Sequence, residues 1–163
     1  MGVVRIIGLG NEWAGDDAIG LVAAERLRER NLPGVEVATH EVPDWEMFEN
    51  LQPQDLLIFI DACQSACQSA CRIGSEPGTI LELHADDVAE HGVRHCSSHG
   101  LGLAHWLSMA EVLGAKTGHV LIYAVEISDA SMGGGLSDAV ERAIPELLAK
   151  IESRITGHAS GPV

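Results

Sequence analysis

Residues 5–20 read Arg5-Ile6-Ile7-Gly8-Leu9-Gly10-Asn11-Glu12-Trp13-Ala14-Gly15-Asp16-Asp17-Ala18-Ile19-Gly20, and their pattern decides the fold. An apolar run from Val3 to Leu9 takes in Gly8, meets Gly10, crosses a polar turn and delivers two adjacent carboxylates, Asp16 and Asp17, to the mouth of an amphipathic segment. Ile19, Val22, Ala23 and Leu27 then recur at helical spacing to about Arg30, so the order is strand, tight turn, helix. In an open α/β sheet the loop leaving the carboxyl end of the first strand borders the usual ligand crevice. An Asp in this position also suits a helix cap or the helix dipole. One cap does not require two acids, which leaves Asp17 open to chemistry.

The same alternation continues downstream. Val35 to Val42 reads as a half-buried strand, and Pro43-Asp44 opens a short helix over Trp45 to Leu51. Leu56-Leu57-Ile58-Phe59-Ile60 has no polar interruption, as a central parallel strand covered on both faces requires, and it runs directly into Asp61. That acid either makes a local turn on nearby amides or joins Asp17 at the carboxyl edge of the sheet. Thr79 to Leu83 predicts a fourth strand after the Pro77-Gly78 turn, and His119 to Val125 a fifth. Between them, Leu103, Trp106, Leu107 and Ala110 mark a helix face that Ser97 or Ser98 could cap, with His99 at its start. There the positive end of the helix dipole disfavours the imidazolium and keeps a ring nitrogen available for a metal or a proton. The last helix carries Leu136, Val140, Ile144, Leu147, Ile151 and Ile155 on one stripe and is expected to bend at Pro145. The whole predicts a three-layer α/β/α sandwich around a mostly parallel, twisted sheet of about five strands, with room for one antiparallel strand. A single domain is expected over residues 1–156, with the small and polar residues 157–163 a disordered tail.

Composition narrows the function. A net charge of −14 argues against nucleic acid and anionic membrane surfaces, which demand clustered Lys and Arg, and favours a basic partner or a cation. No apolar run approaches the roughly 18 residues of a membrane span, and no secretory leader pattern is visible, so a cytoplasmic location is expected. The four cysteines read better as free thiols or metal ligands than as a disulfide framework. Three of them, Cys63, Cys67 and Cys71, lie in Cys63-Gln64-Ser65-Ala66-Cys67-Gln68-Ser69-Ala70-Cys71, a repeated four-residue unit that lacks the C-x-x-C pairing of zinc sites and reads first as a local duplication. Gly8-x-Gly10 hints at a dinucleotide turn, but Trp13 stands where the fingerprint needs its third glycine. No G-x-S-x-G elbow, Walker lysine or H-E-x-x-H occurs.

Asp17, Asp61 and His99 remain. Two oxygens and one nitrogen suit a borderline divalent cation such as zinc, nickel or manganese, with positions left open for substrate or water. At these residues the chain resembles the hydrogenase maturation endopeptidases: Gly8-Leu9-Gly10-Asn11 followed by Asp16-Asp17 and Gly20, then Ile60-Asp61-Ala62, Pro77-Gly78-Thr79 and Ser98-His99-Gly100-Leu101. The resemblance runs from Val3 to Ile155 and places the family's metal-binding acids and histidine on Asp17, Asp61 and His99. It implies an aspartic-type endopeptidase, a monomer, that removes the C-terminal extension of a nickel-iron hydrogenase large-subunit precursor. The nickel would be supplied by the precursor, with zinc or cadmium able to substitute for it in a crystal. Two departures stand out, the cysteine-rich stretch and Glu12-Trp13, where apolar residues are the family's habit. Rival readings are a non-enzymatic nickel- or zinc-binding metallochaperone module and a general zinc hydrolase with a metal of its own.

Overall fold

The computed structural model describes residues 2–64, 76–85, 103–114, 119–128 and 130–159. Five strands, β1 (Val4–Leu9), β2 (Val35–His40), β3 (Leu56–Cys63), β4 (Ile80–His84) and β5 (His119–Glu126), form one sheet in the order β2-β1-β3-β5-β4. The first three and β5 run parallel, with Val4 opposite Leu56 and Leu56 opposite His119. Only β4 is antiparallel, pairing Ile80 with Val125 at the outer edge. β1 and β3 are thus parallel neighbours at the centre of the sheet. β3 and β5 are buried at nearly every residue, as their unbroken apolar runs demand, whereas the edge strands β2 and β4 are half-buried.

Alternation along the strands divides the core in two. Ile6, Ile58, Ile60, Tyr123 and Val125 face α1 (Ile19–Glu29) and the long C-terminal helix α3 (Asp138–Ala159). Ile7, Leu9, Leu57, Phe59 and Ile122 face a 3-10 turn at Trp45–Phe48 and helix α2 (Leu103–Val112). The segment over Trp45 to Leu51 is thus one 3-10 turn rather than a helix, too short to add the next hydrogen bonds before Glu49 turns extended. On α3 the stripe Val140, Ile144, Leu147, Leu148 and Ile151 is fully covered, each side chain contributing roughly 1.5–3 kcal/mol of burial. The helix continues through Pro145 and on to Ala159, so Gly157, His158 and Ala159 are helical where a tail was expected. An edge-on contact between the His158 and His119 rings, with centroids 6.0 Å apart, anchors that last turn. Residues 160–163 lie outside the described residues.

The connection from β1 passes over one face and that from β2 over the other, so the chain reverses direction at β1 and β3. Ligands of doubly wound sheets bind outside the carboxyl ends of the strands at such a reversal. Gly20 allows the close approach this needs: a β-carbon there would fall 2.1 Å from the Leu9 carbonyl oxygen and 2.3 Å from that of Ile60. The start of α1 therefore rests directly on the carboxyl ends of both strands.

Candidate active site

Asp16 and Asp17 lie in a 3-10 turn, Gly15–Ala18, and both are buried. Neither caps α1, whose N-cap residue, Ala18, makes no side-chain cap bond. The two acids part company instead. Asp16 reaches across the fold to Ser137, accepting the backbone N–H on Oδ1 at 2.6 Å and the hydroxyl on Oδ2 at 2.9 Å. Ser137 in turn accepts the Val140 N–H at the start of α3, so Asp16 is a clamp between the first turn and the last helix.

Asp17, only 3% exposed, accepts the Asn11 N–H on Oδ2 at 3.1 Å. Asn11 accepts the Trp13 N–H on its own side chain at 2.9 Å, and Gly10 leaves no room for a β-carbon, which would lie 2.1 Å from the Asp17 carbonyl oxygen. The glycine-rich turn thus folds tightly around the Asp17 backbone. Asp61 is 1% exposed and accepts the Ala62 N–H on Oδ1 at 2.8 Å. It does not end its strand: pairing continues through Ala62 to Cys63, because β5 supplies partners as far as Glu126. By alternation from Leu57 and Phe59, Asp61 falls on the sheet face covered by α2. The 3-10 turn touches β3, so Asp17 and Asp61 come to one edge of two adjacent parallel strands.

His99 lies outside the described residues, as do Cys67, Cys71, His91 and His95. Among the described residues no group of three or more His, Cys, Asp and Glu is arranged to hold a metal ion. Two buried carboxylates are hard oxygen donors fit for a divalent cation, but they form half of a ligand set.

Sequence reasoning missed Glu126. It is buried, stands opposite Cys63, and accepts a hydrogen bond from the Cys63 thiol at 3.5 Å. The available signal was the one that found Asp61, an acid that directly follows a long apolar run, here Val120 to Val125. A separate polar cluster lies away from the site. The Tyr123 hydroxyl donates to Glu82 at 2.9 Å, and Glu82 also binds Arg154 of α3. Burial, reinforced by that bond to Glu82, pushes the Tyr123 phenol up to about 12. Burial raises Glu82, but the Arg154 guanidinium and Tyr123 outweigh it and hold the carboxyl below its usual range.

Comparison with known proteins matches residues 46–154 to the family model described as HycI, hydrogenase maturation protease. The hydrogenase 2 maturation protease of Escherichia coli (strain K12) is 28% identical over 150 residues, covering 91% of this chain and 87% of the relative. The structure of the hydrogenase maturating endopeptidase HybD from E. coli superposes with a TM-score of 0.78 at 24% identity, over 95% of this chain and 93% of that one. The solution structure of an endopeptidase from E. coli gives 0.74 at 27% identity, over 91% and 89%.

Proposed function

We propose, for a chain that belongs to the hydrogenase maturation protease family and is therefore a peptidase, that Asp17 and Asp61 recognise nickel already seated in a hydrogenase large-subunit precursor. The reaction is removal of the precursor's C-terminal extension. The observation that carries this reading is the burial of two carboxylates at the carboxyl edges of adjacent parallel strands, where the chain reverses direction. Holding two such charges out of water is costly, and a divalent cation brought by the substrate offsets that cost. His99, proposed from the sequence, would add a nitrogen donor.

What the chain's own residues do follows from their placement. Asp17 is oriented by the Asn11 amide and Asp61 by the Ala62 amide, so each carboxylate is set before substrate arrives. The nickel of the substrate supplies the anchor and polarises groups bound to it. The two acids fix where the precursor sits, and the closed glycine turn holds one of them against α1. An unloaded precursor lacks this anchor, which makes cleavage a checkpoint for metal insertion.

The test uses a nickel-loaded and a nickel-free precursor and follows release of the C-terminal peptide. Wild type is expected to cut only the loaded form, and Asp61→Asn and His99→Ala to cut neither. Equal cutting of both forms by wild type overturns the checkpoint, and full activity in either variant removes that residue from the site.

A further inference from the structure

The Glu12–Trp13 turn is left unused by the chemistry above, yet it is built with care. Trp13 is 65% exposed while its backbone is held at both ends: its N–H donates to the Asn11 side chain and its carbonyl accepts the Gly133 N–H at 2.9 Å. That second bond ties the turn to the loop carrying Met132, itself 72% exposed. Two of the largest apolar side chains left in water thus sit on two loops joined through their backbones. An exposed indole on a fixed backbone binds with little loss of conformational freedom, and the adaptable thioether beside it fits itself to the bound group.

Two clefts flank the turn. One, of about 280 Å³, is lined by Gly10, Asn11, Trp13, Thr39, His40 and Glu41 together with Glu12. The other, of about 480 Å³, has an apolar floor of Ala18, Leu21, Val22 and Leu136, with Glu12 and Glu25 on its walls. Glu12 and Leu21 line both. Among the described residues lining the second cleft, the cation Arg26 is tied to Glu141 at 2.6 Å, and acid dominates the walls. The first cleft borders the turn that holds Asp17, since its Asn11 donates its backbone N–H to that carboxylate.

We propose that the Glu12–Trp13 turn is a docking element that takes a basic stretch of the protein substrate carrying a large apolar side chain. The apolar group covers Trp13 and Met132, and the Lys or Arg residues beside it lie against Glu12, Glu25 and Glu41. A chain of net charge −14 attracts such a segment from a distance and repels an acidic one. This inference rests on reading the chain as a peptidase acting on a folded precursor, and it adds how that precursor is selected.

The test titrates the full chain with a fluorescent hexapeptide of alternating lysine and leucine, and with its glutamate-for-lysine counterpart. Wild type is expected to bind the lysine peptide about tenfold more tightly, with the preference shrinking at high salt. Trp13→Ala, Met132→Ala and Glu12→Gln each weaken that binding about fivefold, whereas Asp61→Asn leaves it unchanged. On a nickel-loaded precursor the three turn variants raise KM and hold kcat, a split that a merely structural defect would not give. All three replaced side chains are surface groups, and equal thermal melting checks that the variants fold. Equal affinity for the two peptides, or a turn variant that lowers kcat at constant KM, overturns the docking element. An intact peptide preference together with no cleavage of any precursor by wild type supports the docking element and overturns the peptidase reading instead.

Discussion

Acids are buried at both ends of the sheet, Asp55 at one and Asp16, Asp17 and Asp61 at the other. At the amino end, Asp55 accepts the Val3 and Gln52 amides, each at 2.8 Å, and so joins the start of β1 to the start of β3. Asp16, at the carboxyl end, acts in the same way on Ser137. Asp17 and Asp61 also accept local amides, from Asn11 six residues away and from the adjacent Ala62, bonds that aim each carboxylate. Burial alone therefore does not mark a functional acid. Asp55 and Asp16 tie distant segments of the fold together, whereas Asp17 and Asp61 are the acids proposed for the site.

The sharpest way to break this distinction is to neutralise both kinds. Asp61→Asn and Asp17→Asn are expected to lower processing of a nickel-loaded precursor by about 100-fold or more while melting within a few degrees of wild type. Asp16→Ala is expected to do the reverse. It leaves the half-buried Ser137 amide and hydroxyl without their acceptor, at a cost of roughly 2 kcal/mol, which lowers the melting temperature by about 4–8 °C with kcat nearly unchanged in the cold. Calorimetry and peptide release on the same preparations read both effects, and a large loss of kcat in a well-folded Asp16→Ala protein would erase the distinction.

How much of this was legible beforehand depended on distance along the chain. The run Leu56 to Ile60 announced a central strand, and the glycine turn announced the crossing to α1, because both signals are local. Asp61 was legible for the same reason. The division of labour between Asp16 and Asp17 was not, since it is made by Ser137, 121 residues away. Glu126 escaped because the strand was taken to end one residue early, at Val125, and only the register with Cys63 shows that pairing continues. The 3-10 turn at Trp45–Phe48 and the helical state of residues 157–159 likewise depend on tertiary contacts.

A smaller effect sharpens the comparison away from the site. The folded Tyr123 phenol titrates near 12 rather than near 10, so below about pH 10 its contribution to stability is complete, and it is lost as pH rises from 10 through 12. The lowered Glu82 carboxyl works in the opposite direction, its contribution being lost as pH falls below the ordinary carboxylate range. Tyr123→Phe should flatten the alkaline limb of a stability profile and leave precursor cleavage near neutral pH untouched. An unchanged alkaline limb would show that this cluster is not the source.

The smallest effect is expected from replacing Cys63, Cys67 and Cys71 together with Ser. A hydroxyl at position 63 still donates to Glu126, so processing should fall by less than about twofold. Collapse of processing in a folded triple variant would assign the thiols a role at the site.

The bond between Asp16 and Ser137 also sets an order in time. While the protein is being synthesised, the turn that carries Asp17 leaves the ribosome early, and the residue that locks its neighbour follows 121 residues later. Until α3 has emerged and docked, that turn lacks its clamp. A nascent chain therefore acquires its site last, and a chain interrupted before Ser137 is left without a fastened one.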